Sequence, residues 1–257
     1  MTQAVGIIIT EMNDIVAYLA CGGKGSRMKG VFDGPKALVP FYGCPLIVRL
    51  IRYLSNQNIK NICLGLSHRN REIEFEVNKF FTDSHTNIFT SYDSGDVENG
   101  GGLLGYLRNT KFAHVLSINA DTILDVRIDE FFKTHIDNQC AATMAVSRRV
   151  DQPISGNVQL DPCTGRVIQY CDNELNVEGV IGCNTGWAFF DVIKTLSIEE
   201  LIYIERGKIE TAIFPLLTKT QELHSYDTNQ NFLLDIGTSE RYDVSISFEK
   251  ELSWFLQ

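Results

Sequence analysis

The sequence is short of everything that marks a membrane, secreted or nucleic-acid-binding protein. No apolar run approaches the roughly 18 residues that cross a bilayer. The first ten residues have neither a basic leader nor a long apolar core, so no signal peptide is expected. The seven cysteines (21, 44, 63, 140, 163, 171 and 183) are odd in number and form no C-x-x-C. That spacing supports neither a zinc site nor a disulfide framework, and a reduced cytoplasm is the expected location. Basic residues are outnumbered, 23 Lys and Arg against 32 Asp and Glu, for a net charge of −9. That balance argues against a general binder of nucleic acid or anionic membranes. There is no G-x-S-x-G, and none of the five histidines (68, 85, 114, 135 and 224) sits in a catalytic constellation, so triad chemistry has no support. No repeat, low-complexity segment or linker interrupts the 257 residues, which read as one domain.

What is present is concentrated between Ile15 and Ile47. An apolar run, Ile15 to Ala20, stops at Cys21-Gly-Gly-Lys-Gly-Ser-Arg27. Then come Gly34-Pro-Lys36-Ala-Leu-Val-Pro40 and Gly43-Cys-Pro45. A buried strand delivers backbone to a sheet edge, glycines let that backbone approach phosphates, and two cations neutralise them. An acidic chain that handles polyphosphates must concentrate its cations locally or borrow a metal.

Periodicity predicts strands at Asp14–Ala20, Asn61–Ser67, Asn87–Tyr92 and His114–Asn119. Helices are predicted over Pro45–Gln57, from an Asn70 cap through Phe81, and over Leu103–Arg108 after a polar loop ending in Gly100-Gly-Gly102. Gly6–Thr10 is a possible stray strand. Beyond Asp121 the pattern predicts a helix at Ile128–His135, strands at Ala141–Val146 and Ile181–Phe190, and a hairpin over Gly156–Tyr170. A helix at Ile209–Leu217 weakened by Pro215, short strands at His224–Asp227 and Asn231–Asp235, and a Ser239-capped helix running to Phe255 follow. This alternation predicts an α/β fold whose mostly parallel sheet is covered on both faces.

Two rival glycine patterns fail. A P-loop lysine is replaced by Val31, and the dinucleotide fingerprint breaks at Met28 and at Ser67-His68, where an acid should end the second strand. A third fits: Gly23-x-Gly25-x-Arg27, Pro35-Lys36, Leu38, Pro40, Gly43 and Pro45, then Asp121 after the fourth strand and Asp235-Ile-Gly-Thr238 before the last helix. In this ordered set the chain resembles the sugar-1-phosphate nucleotidylyltransferases. Ile118-Asn-Ala-Asp-Thr-Ile-Leu-Asp125 looks most like the heptose-1-phosphate guanylyltransferases among them.

The resemblance implies a Rossmann-like three-layer αβα nucleotidyltransferase fold with a mixed, mostly parallel central sheet. It implies one domain, with about 14–125 as the NTP-binding half and about 126–257 as the sugar-phosphate half. The implied reaction is attack by a sugar 1-phosphate on the α-phosphate of an NTP, GTP favoured, with pyrophosphate leaving. The nucleophile is already an anion, so positioning and charge neutralisation should carry the rate. Arg27 offers a fork to the departing phosphates and Lys36 a point charge to the attacked one. The competing reading makes them a surface arginine and a snorkelling lysine. Asp121 and Asp235 are the implied Mg2+ ligands, against the alternative that both cap helices. Asp125 is a weaker third ligand candidate.

The implied nucleotide contacts are Ala20, Cys21, Gly22, Gly23, Gly25, Ser26, Gly101, Gly102 and Asn119. Asn184, Thr185, Gly186, Glu174 and Glu210 match acceptor-side segments, with solvated surface acids as the alternative for the two glutamates. Leu175 stands where the pattern has a lysine for the acceptor phosphate. Expected partners are an NTP, a sugar 1-phosphate and further copies of the chain in a homo-oligomer, with no nucleic acid or membrane. The alternatives are a uridylyl- or thymidylyltransferase for another sugar, or a non-catalytic protein that binds a nucleotide sugar and regulates a partner.

Overall fold

Ile15–Ala20 (β1) carries apolar residues throughout because both faces of the strand are covered. Ile15, Ala17 and Leu19 point into one core, Val16 and Tyr18 into another. The computed structural model describes residues 13–23, 28, 31–82, 85–93, 95, 97–148, 156–171, 180–229 and 231–256. Gly25, Ser26, Arg27, Glu174, Leu175 and the possible strand at Gly6–Thr10 therefore lie outside the described residues.

After a 3-10 turn at Lys36–Leu38, Pro40–Phe41 (β2) and Cys44–Pro45 (β3) form a small hairpin. Leu46–Asn56 (α1) follows, burying Leu46, Ile47, Leu50, Ile51 and Leu54 at helical spacing. Each such residue contributes about 1.5–3 kcal/mol of burial. Asn61–Ser67 (β4), Arg71–Asn78 (α2), Asn87–Asp93 (β5), Glu98–Leu107 (α3) and His114–Asn119 (β6) complete the first half. Then come Thr122–Leu124 (β7), Ile128–Asn138 (α4), Ala142–Ser147 (β8), Asn157–Leu160 (β9), Val167–Cys171 (β10) and Val180–Asp191 (β11). Val192–Ser197 (α5), Glu199–Ile202 (α6), a π-helical turn at Ile209–Ile213, Phe214–Lys219 (α7), Leu223–Asp227 (β12), Leu233–Asp235 (β13) and Ser239–Ser245 (α8) end the order.

The main sheet has nine strands, in the path β10-β9-β11-β6-β1-β4-β5 with β8 and β12 branching from β11. β5, β4, β1 and β6 are parallel. β11 runs against β6, β8 and β9, and β10 against β9, while β12 lies parallel to β8. Every strand but β10 and β11 therefore points the same way, giving a mixed, mostly parallel sheet. One core packs α1, α4 and the C-terminal Leu252 and Phe255 against the sheet, with Trp187 and Phe189 of β11. The other packs α3 with Ile213, Phe214 and Leu217.

Several local expectations change. The three glycines do not end a loop; they lie within α3, which starts at Glu98. Gly100 and Gly101 bring the helix against the 205–209 backbone, where added Cβ atoms would come 2.6 Å from the Gly207 oxygen and 2.5 Å from the Glu205 oxygen. Pro215 sits in the first turn of α7, where its missing N–H costs nothing, so it starts that helix rather than weakening its end. Thr238, not Ser239, caps α8 by accepting the Arg241 N–H, and α8 stops at Ser245. Asn70 does not cap α2; its side chain is used elsewhere.

Candidate active site

The strands that share a direction end on one side of the sheet, where ligand crevices of open α/β sheets form. Ala20, Ser67, Asp93 and Asn119 end β1, β4, β5 and β6, and all four line a cavity of about 710 Å³. Beyond β1 the Cys21 N–H bonds to the Gly65 oxygen at 2.9 Å, prolonging the strand register. The buried Asn70 donates its amide to the Cys21 oxygen at 3.0 Å. Cys21, Gly22 and Gly23 thus present backbone to the cavity from a pinned position. Burial raises the Cys21 thiol far above the ordinary range, so it is a small buried residue with no thiolate to offer.

Two carboxylates stand at the cavity floor. Asp121 follows β6 directly, and Asp235 ends β13. The β13–β7 pairing puts Asp235 opposite Thr122, and the Ile236 N–H bonds to the Asp121 oxygen at 2.9 Å. That register brings together acids far apart in sequence. Neither caps a helix: Asp121 precedes a strand, and the cap of α8 is Thr238. Asp125 is not a cap either, since Arg127 precedes α4, and it does not line the cavity.

Each carboxylate already faces a cation. Lys36 Nζ contacts Asp121 Oδ2, and Arg241 contacts Asp235 Oδ2. Asp235 Oδ1 also accepts the Gly237 N–H at 2.6 Å. Burial, and next the negative charge of Asp121, raise the Asp235 carboxyl above its ordinary range. Two oxygen donors that repel one another suit a hard divalent cation, which often takes one or two protein carboxylates and draws further ligands from phosphates and water. No group of three or more His, Cys, Asp or Glu side chains is placed to hold a metal among the described residues, so this pair is the candidate.

Across the cavity, β11 changes partners. Its register against β8 shifts between Asn184 and Ala188, and the resulting bulge holds Asn184-Thr-Gly186. Asn184 Oδ1 accepts the Gly186 N–H at 3.0 Å, and Thr185 donates to the Ala145 oxygen at 2.9 Å. Gly186 has a φ of +77°, and a Cβ there would meet Asn119 Nδ2 at 2.8 Å, so glycine is required twice over. Glu210 lies in the π-helical turn and accepts from Asn119 at 3.3 Å and from Asn99 at 3.4 Å. It is a held cavity acid rather than a solvated surface one. π-helical turns recur at functional sites, where they displace a side chain from the helical register.

Gly101 and Gly102 are placed differently from the expectation. Both are buried, and the wall at this point is made by Val97, Glu98 and Asn99 instead. The Gly101 N–H is taken by the Gly207 oxygen. Three charged lining residues carried no motif: Asp93, Lys208 and Arg241. Asp93 sits beside Gly22 and Gly102, and burial pushes its carboxyl up to about 6, with His68 pulling the other way. Its position at a strand end was a usable signal, the same one that marks Asn119.

With this geometry in view, a family model for the MobA-like NTP transferase domain matches residues 17–170. The chain belongs to the MobA-like NTP transferases. The matched span carries the backbone loop, Lys36, Asn119 and Asp121; Asn184, Glu210, Asp235 and Arg241 fall beyond it. A D-glycero-α-D-manno-heptose 1-phosphate guanylyltransferase from Aneurinibacillus thermoaerophilus is 23% identical over 93% of this chain and 99% of its own length. The catalytic subunit β of a Drosophila melanogaster mannose-1-phosphate guanylyltransferase is 24% identical over 88% of this chain, which spans 60% of that protein. Among solved structures, HddC from Yersinia pseudotuberculosis, crystallised with GMP-PN, superposes with a TM-score of 0.72. It is 21% identical, over 91% of this chain and 98% of that one. The T. maritima inositol-1-phosphate CTP transferase superposes at 0.75 with 16% identity, over 95% and 96%. These two likenesses establish this transferase's fold. No helix of the described residues is long and apolar enough to cross a membrane.

Proposed function

We propose that this NTP transferase joins an NTP, GTP by preference, to a heptose-like sugar 1-phosphate and releases pyrophosphate. The observation that carries the reading is the pair Asp121–Lys36 and Asp235–Arg241 at the cavity floor, between the Cys21–Gly23 backbone and the Asn184–Gly186 bulge. In this reading residues of about 14–125 serve the donor nucleotide and those of about 126–257 the acceptor. A relative that spans nearly the whole chain is named as a guanylyltransferase for a heptose 1-phosphate. Asp93 supports the base preference. An ionised carboxylate only accepts hydrogen bonds, which suits the N1–H and amino group of guanine, whereas adenine presents an unprotonated N1 there.

The acceptor attacks through an oxygen of its own phosphate. A new bond forms to the α-phosphorus, the bond from that phosphorus to the oxygen bridging to the β-phosphorus breaks, and pyrophosphate leaves with the electron pair. The acceptor phosphate is ionised near neutral pH, so no side chain need remove a proton. Lys36 meets the attacked phosphate, and the Cys21–Gly23 backbone holds the nucleotide. Asn184, Thr185, Gly186 and Glu210 orient the sugar, with Glu210 held by two amides so that it can accept from hydroxyls. Asp121 and Asp235 would hold Mg2+, which supplies charge neutralisation at the phosphate oxygens when bound.

Pyrophosphate release with each of the four common NTPs and with TTP, over a panel of sugar 1-phosphates, tests the assignment. Release is expected to be highest with GTP and a manno-configured heptose 1-phosphate. Preference for UTP or TTP would transfer the protein to the uridylyl- or thymidylyltransferase alternative. Silence with every combination would reject catalysis and leave the nucleotide-sugar-binding alternative.

A further inference from the structure

Two anions must meet in this cavity, and each needs a cation. The described lining provides three: Lys36, Lys208 and Arg241. Lys36 contacts Asp121 and is spoken for by the attacked phosphate. Lys208 precedes the π-helical turn, next to the packed Gly100 and two residues before Glu210. Arg241 alone stands at the floor beside the second carboxylate. Its helix is anchored by the Thr238 cap, which accepts the Arg241 N–H, so the side chain leaves from the first turn of α8. An attacking oxygen must come within roughly 3–3.5 Å of the α-phosphorus. An acceptor phosphate brought to the aspartate pair for that attack would come beside Arg241.

Resting on the nucleotidyltransferase reading, we infer that Arg241 binds the acceptor's 1-phosphate and that Asp235 is its parking place in the metal-free protein. The planar guanidinium matches two oxygens of a phosphate as well as those of a carboxylate. A divalent cation taken by Asp235 displaces Arg241 from that carboxylate. The displaced guanidinium then faces the cavity, where the acceptor arrives. Metal and acceptor phosphate thus become linked: each favours the same position of one side chain. Arg241 also answers the need created by Leu175, because it supplies the acceptor cation from a different element.

The test uses the full chain and three variants, Arg241→Gln, Arg241→Lys and Lys208→Gln, with thermal melting to confirm folding. Mn2+ binding is first read by the loss of the free-ion paramagnetic resonance signal without nucleotide. Arg241→Gln removes the competitor for Asp235, so Mn2+ is expected to bind about tenfold more tightly. Lys208→Gln should leave Mn2+ affinity within about twofold. Next, α-mannose 1-phosphate binding is measured by calorimetry with Mn2+ and a non-hydrolysable GTP analogue. Arg241→Gln should weaken it at least about tenfold and Arg241→Lys by less, with the GTP analogue bound as in the wild type. Unchanged acceptor binding, or weaker Mn2+ binding in Arg241→Gln, would overturn the inference. So would a wild-type chain that binds neither probe. These are binding readouts, so they stand apart from turnover: absence of pyrophosphate release would reject the catalytic reading while the Mn2+ shift still reports on Arg241.

Discussion

Lys36 enters the site from a single 3-10 turn, preceded by Pro35 in an extended conformation that aims the turn at the cavity. Replacing it with alanine should lower kcat by roughly 10²–10³-fold, the loss that follows removal of one preorganised donor to a developing charge. Steady-state kinetics in GTP and acceptor check this, and a change in KM alone would contradict it. Asp93 makes a separate prediction about stability. Its folded pKa of about 6 lies above the ordinary value of 3.8 because burial disfavours the charge. Stability from its neutral form is therefore present below pH 4 and is lost as pH rises through about 6. Asp93→Asn should be more stable than the wild type at pH 7.5, by roughly 1 kcal/mol after solvent screening, and not at pH 4. Urea midpoints at the two pH values read this difference directly. At this scale the places of Lys36, Asp121 and Asp235 in the cavity wall were legible, because each belongs to a motif with fixed neighbours. That of Asp93 was signalled only by its strand end, and that of Arg241 by nothing local, because a helix turn and a strand end meet there in space.

At the scale of elements, α3 shows why three glycines misled. Glycine runs ordinarily break helices, and the expectation ended a loop there. Here the missing side chains let the helix lie directly on the 205–209 backbone, with the Gly100 and Gly101 N–H groups bonded to the Gly207 oxygen at 2.9 and 3.1 Å. Gly101→Ala should cost about 1–3 kcal/mol through overpacking against immovable backbone. Gly105→Ala in the same helix, where a Cβ meets nothing within 4 Å, should gain up to about 1 kcal/mol. Chemical denaturation of the two variants separates a packing role from simple helix propensity. Equal effects would contradict it. The strands around β1 were legible from their unbroken apolar runs. β7 was not: its three residues, Thr122–Leu124, become a strand only through pairing with β13. The short α8 shows the reverse error, since apolar residues out to Phe255 kept helical spacing while the chain beyond Ser245 only turns against the core.

Across the whole molecule, the sheet decides which residues meet. Parallel β1, β4, β5 and β6 gather one wall from the first half of the chain. Antiparallel β11 lies against β6 and brings the Asn184–Gly186 bulge opposite it. The small β13–β7 pairing closes the floor by carrying Asp235 back to Asp121. Alternating elements made the parallel half legible in advance. The β11–β6 pairing joins residues 69 to 77 apart and the β13–β7 pairing residues 109 to 113 apart, separations that no local pattern reports. The resulting cavity brings two carboxylates and their cations together at its floor, and the one cysteine among its described lining residues is buried, which raises its thiol far above the ordinary range. In the proposed reaction the two bound substrates meet in a single displacement at the α-phosphorus. Transfer from GTP bearing a chiral α-thiophosphate to the sugar 1-phosphate, followed by assignment of the product's configuration, tests it most directly. A single displacement gives inversion at phosphorus; retention, which requires a covalent nucleotidyl-enzyme, or no transfer to any sugar 1-phosphate, would rule it out.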